Sequence, residues 1–401
     1  MRWCEASKMK KHKVLQVHNY YQLPGGEDTV VANEKRLLEK NGHQVIQYTR
    51  HNSELNELNV MQKLLLPFST VFNLRTYREV KRIIREEKID IVHVHNTLNL
   101  ISPSVYYAAV RCGVPVVQTV HNFRLLCPGA TFYRDGQICE ECLKKGMGCA
   151  LKHKCYRGSF VQTLACVLST KIHRATGIYK KLHYICLTEF NKEKLLHLKQ
   201  IRPEQISIKP NFVEDSLCYD PEEQRADRLV YVGRLEKLKG VHILLEAWKL
   251  LGREAPELLL CGTGPLDRWC ADFVRENNLN VTVKGFVPND EVRRLIATSR
   301  GLILPTQCYE TFPVTIVEAY AAGTPVITGN MGNAGNLVDE GVTGKHYAYD
   351  QPQALADAVR TYLDEITPQW HQNARNKFTR LYDPVTNYTC LTEIYNMVSG
   401  K

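Results

Sequence analysis

The chain has 401 residues, 44% hydrophobic and 23% charged, a globular mix with core enough for two or three domains and no run of about 18 apolar residues to span a membrane. Its +10 charge is uneven: residues 1–200 hold 31 Lys+Arg against 16 Asp+Glu, the rest 21 against 26, so the first half suits an anionic surface, membrane or nucleic acid, or is a solvated basic face. Fourteen cysteines, behind a basic start that leads into a short strand rather than a signal peptide, predict reduced thiols in a cytosolic chain.

Lys13–His18 reads as a strand, Asn19–Glu27 as a loop and Val30–Asn41 as a helix ended by Gly42. Strand, glycine loop and helix bring backbone N–H groups up to a phosphate; Gly25 and Gly26 also fit an ordinary turn. After a strand at Gln44–Tyr48, Val60–Lys88 pairs Leu64, Leu65, Leu66 and Phe68 with Lys63, Arg75, Arg78 and Lys81. Such a segment packs on a sheet or lies on an anionic membrane. The strand at 89–94 carries His93, with His95 on the same face; one strand alone supplies too few metal ligands. Val105–Cys112 is a helix and Val116–Val120 a strand ending in His121, where open α/β sheets bind ligands and where a structural histidine is the alternative.

Cys127–Cys155 gathers five cysteines, with Cys139 and Cys142 spaced as half of a zinc knuckle. Cys127 and either Cys149 or Cys155 complete a tetrahedral set; reduced thiols or a redox-sensitive pair are the alternatives. Phe160–Lys181 is apolar, then basic. Tyr184–Leu187 and Gln205–Pro210 are strands around a helix at Glu193–Leu198, and Glu214–Asp227 is the clearest linker.

The second half alternates strand and helix cleanly, which predicts a parallel, doubly wound sheet. Strand Leu229–Gly233 precedes a basic loop, Arg234–Gly240, in which Arg234 and Lys239 either grip a diphosphate or sit solvated. The turn with Gly262 and Gly264 lacks the third glycine of a dinucleotide fingerprint. Strand Gly301–Leu304 leads to TQCYETFPVTIVEAYAAGTP, with Glu310 in a polar turn and Glu318 alone in an apolar helix. A carboxylate there is salt-bridged or accepts ligand hydroxyls. Helices follow at Pro352–Leu363 and about Pro384–Val398.

Glu310 and Glu318, seven residues between them, resemble the paired-glutamate signature of retaining glycosyltransferases of the GT-B fold, family 4. The departure is Pro313, where the pattern has Gly. The resemblance implies two Rossmann-like lobes facing a cleft: residues 1–213, an acceptor-side lobe with the Cys-rich insertion 127–155; linker 214–227; a nucleotide-sugar lobe 228–380; and a C-terminal helix, 381–401, returning to the first lobe. It further implies that Glu318 binds ribose hydroxyls, that Glu310 and His121 contact the donor sugar, that Arg234 and Lys239 neutralise the diphosphate, and that Gly25 and Gly26 let backbone approach it. The donor is then a UDP- or GDP-type sugar and the acceptor a lipid-linked or other glycan. Anionic membrane is the expected surface, and nucleic acid is not a partner. No catalytic cofactor is expected, since the chain has no Asp-x-Asp to hold a divalent ion; a structural zinc on Cys127, Cys139, Cys142 and Cys155 is the one metal foreseen. Rival readings are a GT-B nucleotide-sugar epimerase and a basic nucleic-acid-binding module; the latter lacks interleaved aromatics and any module motif.

Overall fold

The computed structural model describes residues 10–22, 25–215 and 225–400, so most of the linker at 214–227 lies outside the described residues. The chain forms two units. One takes in residues up to Phe132, Cys139–Asn211 and the stretch from Pro384; the other holds Tyr133–Ile138 and Phe212–Asp383.

In the first unit, β1 (Lys13–Tyr20), β2 (Gln44–His51), β3 (Ile91–Asn96) and β4 (Val116–Thr119) alternate with helices. In chain order a short antiparallel hairpin, β5 (Tyr133–Arg134) and β6 (Gln137–Ile138), which counts with the second unit, comes before the first unit's last strands, β7 (His183–Cys186) and β8 (Ile206–Ile208). The sheet runs β2-β1-β3-β4-β7-β8, all parallel. Parallel sheets are covered on both faces, and every residue of β3 is buried, His93 and His95 included.

Local chemistry moves several predicted boundaries. The first helix spans Gly26–Lys40, opening four residues before Val30, because Gly25 is extended at its N-cap and gives its N–H to Asp28 Oδ2 at 3.1 Å. Val60–Lys88 is two helices, Val60–Val71 and Leu74–Glu86, broken at extended Phe72 and Asn73. Asn59 and Asn73 cap them, accepting from the N–H of Gln62 and Thr76. The C-terminal helix, Pro384–Val398, does return to this lobe: Tyr395 bonds His93 Nδ1 at 2.7 Å, and Asn387 accepts from Lys209 at 3.1 Å.

The second unit holds β9 (Ala226–Val232), β10 (Glu257–Cys261), β11 (Val281–Gly285), β12 (Ser299–Leu304), β13 (Val326–Gly329) and β14 (Gly344–Tyr347), ordered β11-β10-β9-β12-β13-β14 and parallel. Leu244, Trp248, Leu260, Ile303 and Tyr362 anchor its core, and the Trp248 indole is satisfied by the Pro256 carbonyl at 3.0 Å. In both sheets the chain winds outward one way, then jumps back and winds the other. The reversals fall between β1 and β3 and between β9 and β12. Ligands of such sheets bind beyond the carboxyl ends of the strands at that point.

Candidate active site

At the second unit's reversal, β9 runs into the loop 233–240 and β12 into Pro305–Glu310. Glycine lets them meet. Gly240 has φ +72°, and a Cβ on it would stand 1.8 Å from the Pro305 carbonyl oxygen. Gln307 N–H then bonds the Leu238 carbonyl at 2.9 Å. The result sets Lys239 Nζ 2.6 Å from Glu310 Oε1, while the Thr306 hydroxyl donates to the same oxygen at 2.8 Å. Burial pushes the Lys239 ammonium down, but Glu310 more than offsets this and the net shift is upward, so Lys239 stays charged. Asn333 holds the turn by donating to the carbonyls of Glu310 and Thr311.

Glu318 sits one turn into the helix Val314–Ala321, and among the described residues its carboxylate has no hydrogen-bond or ion-pair partner. Burial pushes it up, Arg293 pulls it partly back, and a hydroxyl-rich ligand would satisfy it. Arg234 joins neither acid: its exposed guanidinium is 3.5 Å from Glu236. The loop therefore brings Lys239 and Glu310 together and leaves Arg234 open to solvent.

At the first unit's reversal the groups are histidines and acids. His121 follows β4, and its Nε2 is 2.9 Å from His95 Nδ1 on β3. Burial first, and His95 next, hold His121 well below the ordinary histidine range; burial and His93 push His95 down to about 3. Both rings are neutral at neutral pH. Behind them Glu34, fully buried, lies 3.0 Å from His93 Nδ1, 3.3 Å from His95 Nε2 and 3.3 Å from Lys209 Nζ. Burial alone would raise Glu34, yet His93, Lys209 and His95 outweigh it and hold the carboxyl well below its usual range. A pocket at these strand ends is lined by His95, Asn96, Thr119, His121 and Arg124, with Thr70 on one side and Thr170 on another.

Gly25 and Gly26 open the first helix nearby, and a Cβ on Gly25 would meet nothing within 4 Å. Beside them are three groups that sequence reasoning missed. His18 bonds Asp28 at 2.7 Å, and Glu27 accepts from the Tyr21 hydroxyl at 2.9 Å. Burial pushes Glu27 up to about 8, with the Tyr21 bond pulling against it. Glu34 was the third. Its signal was present: it falls among Val30, Val31, Leu37 and Leu38, the buried face of that helix, so a carboxylate there needs a partner.

Cys142 is pushed up to about 12 by burial, then by the sulfurs of Cys127, Cys155, Cys149 and Cys139. Among the described residues, however, the one trio of ligand atoms within 4.8 Å of one another is Glu34, His93 and His95, where Lys209 already supplies the cation.

Known proteins match along most of this chain. The model of Glycosyltransferase Family 4 matches residues 24–217, and that of Glycosyl transferases group 1 matches 226–365. Glycogen synthase of Mycobacterium tuberculosis is 34% identical over 173 residues, 42% of this chain and 42% of that protein, so the match spans less than half of that relative. An uncharacterized 41.2 kDa protein of the Klebsiella pneumoniae cps region is 21% identical over 94% of this chain and 99% of its own length. Among solved structures, Anabaena HepE in complex with UDP superposes with a TM-score of 0.65 at 17% identity, covering 96% of this chain and 100% of that one; its likeness is one of fold.

Proposed function

Since the chain belongs to glycosyltransferase family 4, group 1, and has the GT-B fold, we propose that it moves a sugar from a nucleotide-diphosphate sugar to an acceptor hydroxyl with retained configuration. The observation that carries this reading is the Lys239–Glu310 pair at the β9/β12 reversal, with the partnerless Glu318 on the following helix. Lys239 and Arg234 neutralise the diphosphate, Glu318 takes the ribose hydroxyls, and Glu310 takes hydroxyls of the donor sugar once the ligand competes for Lys239. His121, held neutral, offers its own pocket a hydrogen-bonding group rather than a cation. The bond from the anomeric carbon to the diphosphate oxygen breaks, and the acceptor oxygen bonds that carbon on the same face. The acceptor's proton passes to the departing phosphate oxygen, so the route needs no protein nucleophile. UDP bound to the Anabaena relative favours a UDP-type donor, with a GDP-type donor as the alternative.

The acceptor is a lipid-linked glycan, reached from the membrane surface. No helix among the described residues is long and apolar enough to cross a membrane. Yet Val60, Met61, Leu64, Leu65 and Phe68 stand exposed on one helix, with Phe72 just past its end, and Phe160, Val161, Leu168 and Ile172 on another. His173 of the second helix bonds the Val71 carbonyl of the first at 2.8 Å, so they form one apolar patch, with Lys63, Arg75 and Lys171 to meet anionic headgroups. The relative from a cps region supports a glycan-assembly role.

Calorimetry with UDP, GDP and ADP tests the donor site. One nucleotide should bind the wild type and lose affinity in Glu318→Ala and Arg234→Ala; no binding of any would sink the reading. Vesicle flotation tests the surface: anionic vesicles should carry the wild type and release Leu64→Ser/Phe68→Ser, and equal binding by both would remove the patch from the account.

A further inference from the structure

We propose that Cys127, Cys139, Cys142 and Cys155 bind one zinc ion as four thiolates and so fasten the segment that follows His121. Four thiols give up their protons to solvent and four Zn–S bonds form; nothing is oxidised or reduced.

Three independent features carry this. The first is convergence of the chain around the cysteines: Ala130 N–H bonds the Cys127 carbonyl at 2.8 Å, and two residues on, the Phe132 carbonyl takes the Cys139 N–H at 2.7 Å. Gly129 ties two of the cysteines to one spot, since a Cβ there would lie 3.7 Å from Cys127 Sγ and 3.8 Å from Cys155 Cβ. Cys142 and Cys155 in turn pack on the same small cluster of Met147, Ala150 and Val167. The spacing, two residues between Cys139 and Cys142 with single cysteines before and after, is what a four-thiolate site draws on.

The second feature is the backbone. Ala130, Phe132, Asp135, Lys154 and Arg157 all have positive φ, five of the nine such non-glycine residues described. Left-handed backbone at residues with a Cβ persists only where the surroundings over-determine it. Buried Phe123, Leu126 and Phe132 hold the first part of the segment, and Met147 and Ala150 with Val167 hold the second; a metal cross-link would tie the two parts together.

The third is charge. Residues 124–157 hold seven Lys+Arg and three Asp+Glu. Zinc with four thiolates carries two negative charges, which this basic surround compensates.

The site would act on catalysis from a distance. Cys127 N–H bonds the Phe123 carbonyl at 2.8 Å, and Phe123 N–H bonds the Ala130 carbonyl at 3.1 Å, closing a tight loop just after His121. Arg124, which lines the pocket, bonds the Pro128 carbonyl inside that loop at 3.0 Å. Fixing Cys127 thus fixes the backbone that carries His121 and Arg124.

The sulfurs must close in on binding, because they do not yet form a trio as tight as Glu34, His93 and His95. The test is metal analysis of the full chain purified under reducing conditions without added metal. Wild type should hold about one zinc per chain, and so should Cys149→Ser, while Cys142→Ser and Cys155→Ser should hold none. Cobalt exchanged into the wild type should show thiolate charge-transfer and tetrahedral d–d bands, a readout independent of whether any variant folds. Wild type without zinc and without the cobalt bands overturns the proposal. Zinc that survives Cys142→Ser but is lost in His95→Gln moves the metal to the histidine trio and overturns it equally. The outcome does not depend on nucleotide binding, so it stands or falls apart from the proposed transferase reading.

Discussion

Each lobe sets a lysine–glutamate pair beside its candidate site, and the two sit in different solvents. Lys209 and Glu34 are 3.3 Å apart with side chains 1% exposed, deep in the first lobe among His93, His95 and the C-terminal helix. Lys239 and Glu310 are closer, 2.6 Å, yet 27% and 15% exposed at the mouth of the second sheet. Distance alone would rank the second as the stronger. Burial reverses the order of consequence: the first pair cannot lose a partner without leaving a charge in low dielectric, whereas the second can trade its partner for water or ligand. One is a fixture of the fold; the other is poised to be used.

The largest effect is therefore expected at Glu34. Glu34→Ala strands the Lys209 ammonium and should cost about 3–5 kcal/mol of stability, the price of breaking a buried pair. Adding Lys209→Met should recover much of it, and urea denaturation of the single and double variants measures both. A single variant as stable as wild type would show the interior is wetter than its burial indicates. Next comes Lys239→Ala. Removing one cation from a developing leaving-group charge costs about 10²–10³ in kcat/KM, while stability should change by less than about 1 kcal/mol, as for exposed pairs. A large fall in Tm instead would make the two pairs alike and end the comparison.

A third acid lies between these cases. Glu27, its side chain 9% exposed, has no lysine; His18 Nδ1 is 3.9 Å away. Burial accordingly raises it to about 8 rather than lowering it. A carboxyl whose pKa is higher folded than unfolded stabilises the fold below its unfolded value, and that contribution is lost as pH rises through the folded one. Between pH 6.5 and 8 wild type should lose up to about 1.4 kcal/mol per pH unit from this group, and Glu27→Gln should be flatter by that amount. The depressed histidines act elsewhere: His95, held at about 3, and His43 and His371, at about 4, withdraw stability only as pH falls below 6.5. Urea midpoints of both proteins across pH 5–9 separate the two windows; parallel curves above pH 6.5 would mean Glu27 is ionised throughout.

The same contrast explains what the sequence could tell. The second lobe was legible because its candidate residues lie in loops that punctuate a clean strand–helix alternation: Lys239 follows β9, Glu310 follows β12, and each stands out as a charge at a strand end. Glu318 stood out as the one carboxylate in an apolar helix. In the first lobe the candidate residues are inside the elements. His18, Glu27 and Glu34 are spread over a strand and a helix, and only folding brings Glu34 to His95 and Lys209, the latter 175 residues on. Local pattern cannot express such a contact. Boundaries failed for a smaller reason: Asn73, which splits the helix after Val71, reads as a polar position of a continuous amphipathic stretch until its side chain is seen to accept from Thr76.

The smallest effect on the fold should come from Arg234. Its side chain is 60% exposed and its nearest acid, Glu236, is 3.5 Å away, so Arg234→Ala should leave stability within about 0.5 kcal/mol. All of its consequence should appear with ligand, as a weakening of nucleotide-diphosphate affinity of about tenfold, or 1.4 kcal/mol. Arg234→Lys then decides how it works. A lysine restores a point charge but not the two parallel N–H donors of a guanidinium. If Lys restores affinity, Arg234 acts through charge alone and lends the diphosphate what Lys239 already gives. If Lys binds no better than Ala, Arg234 grips two phosphate oxygens at once, and one end of the loop supplies geometry while the other, at Lys239, supplies charge.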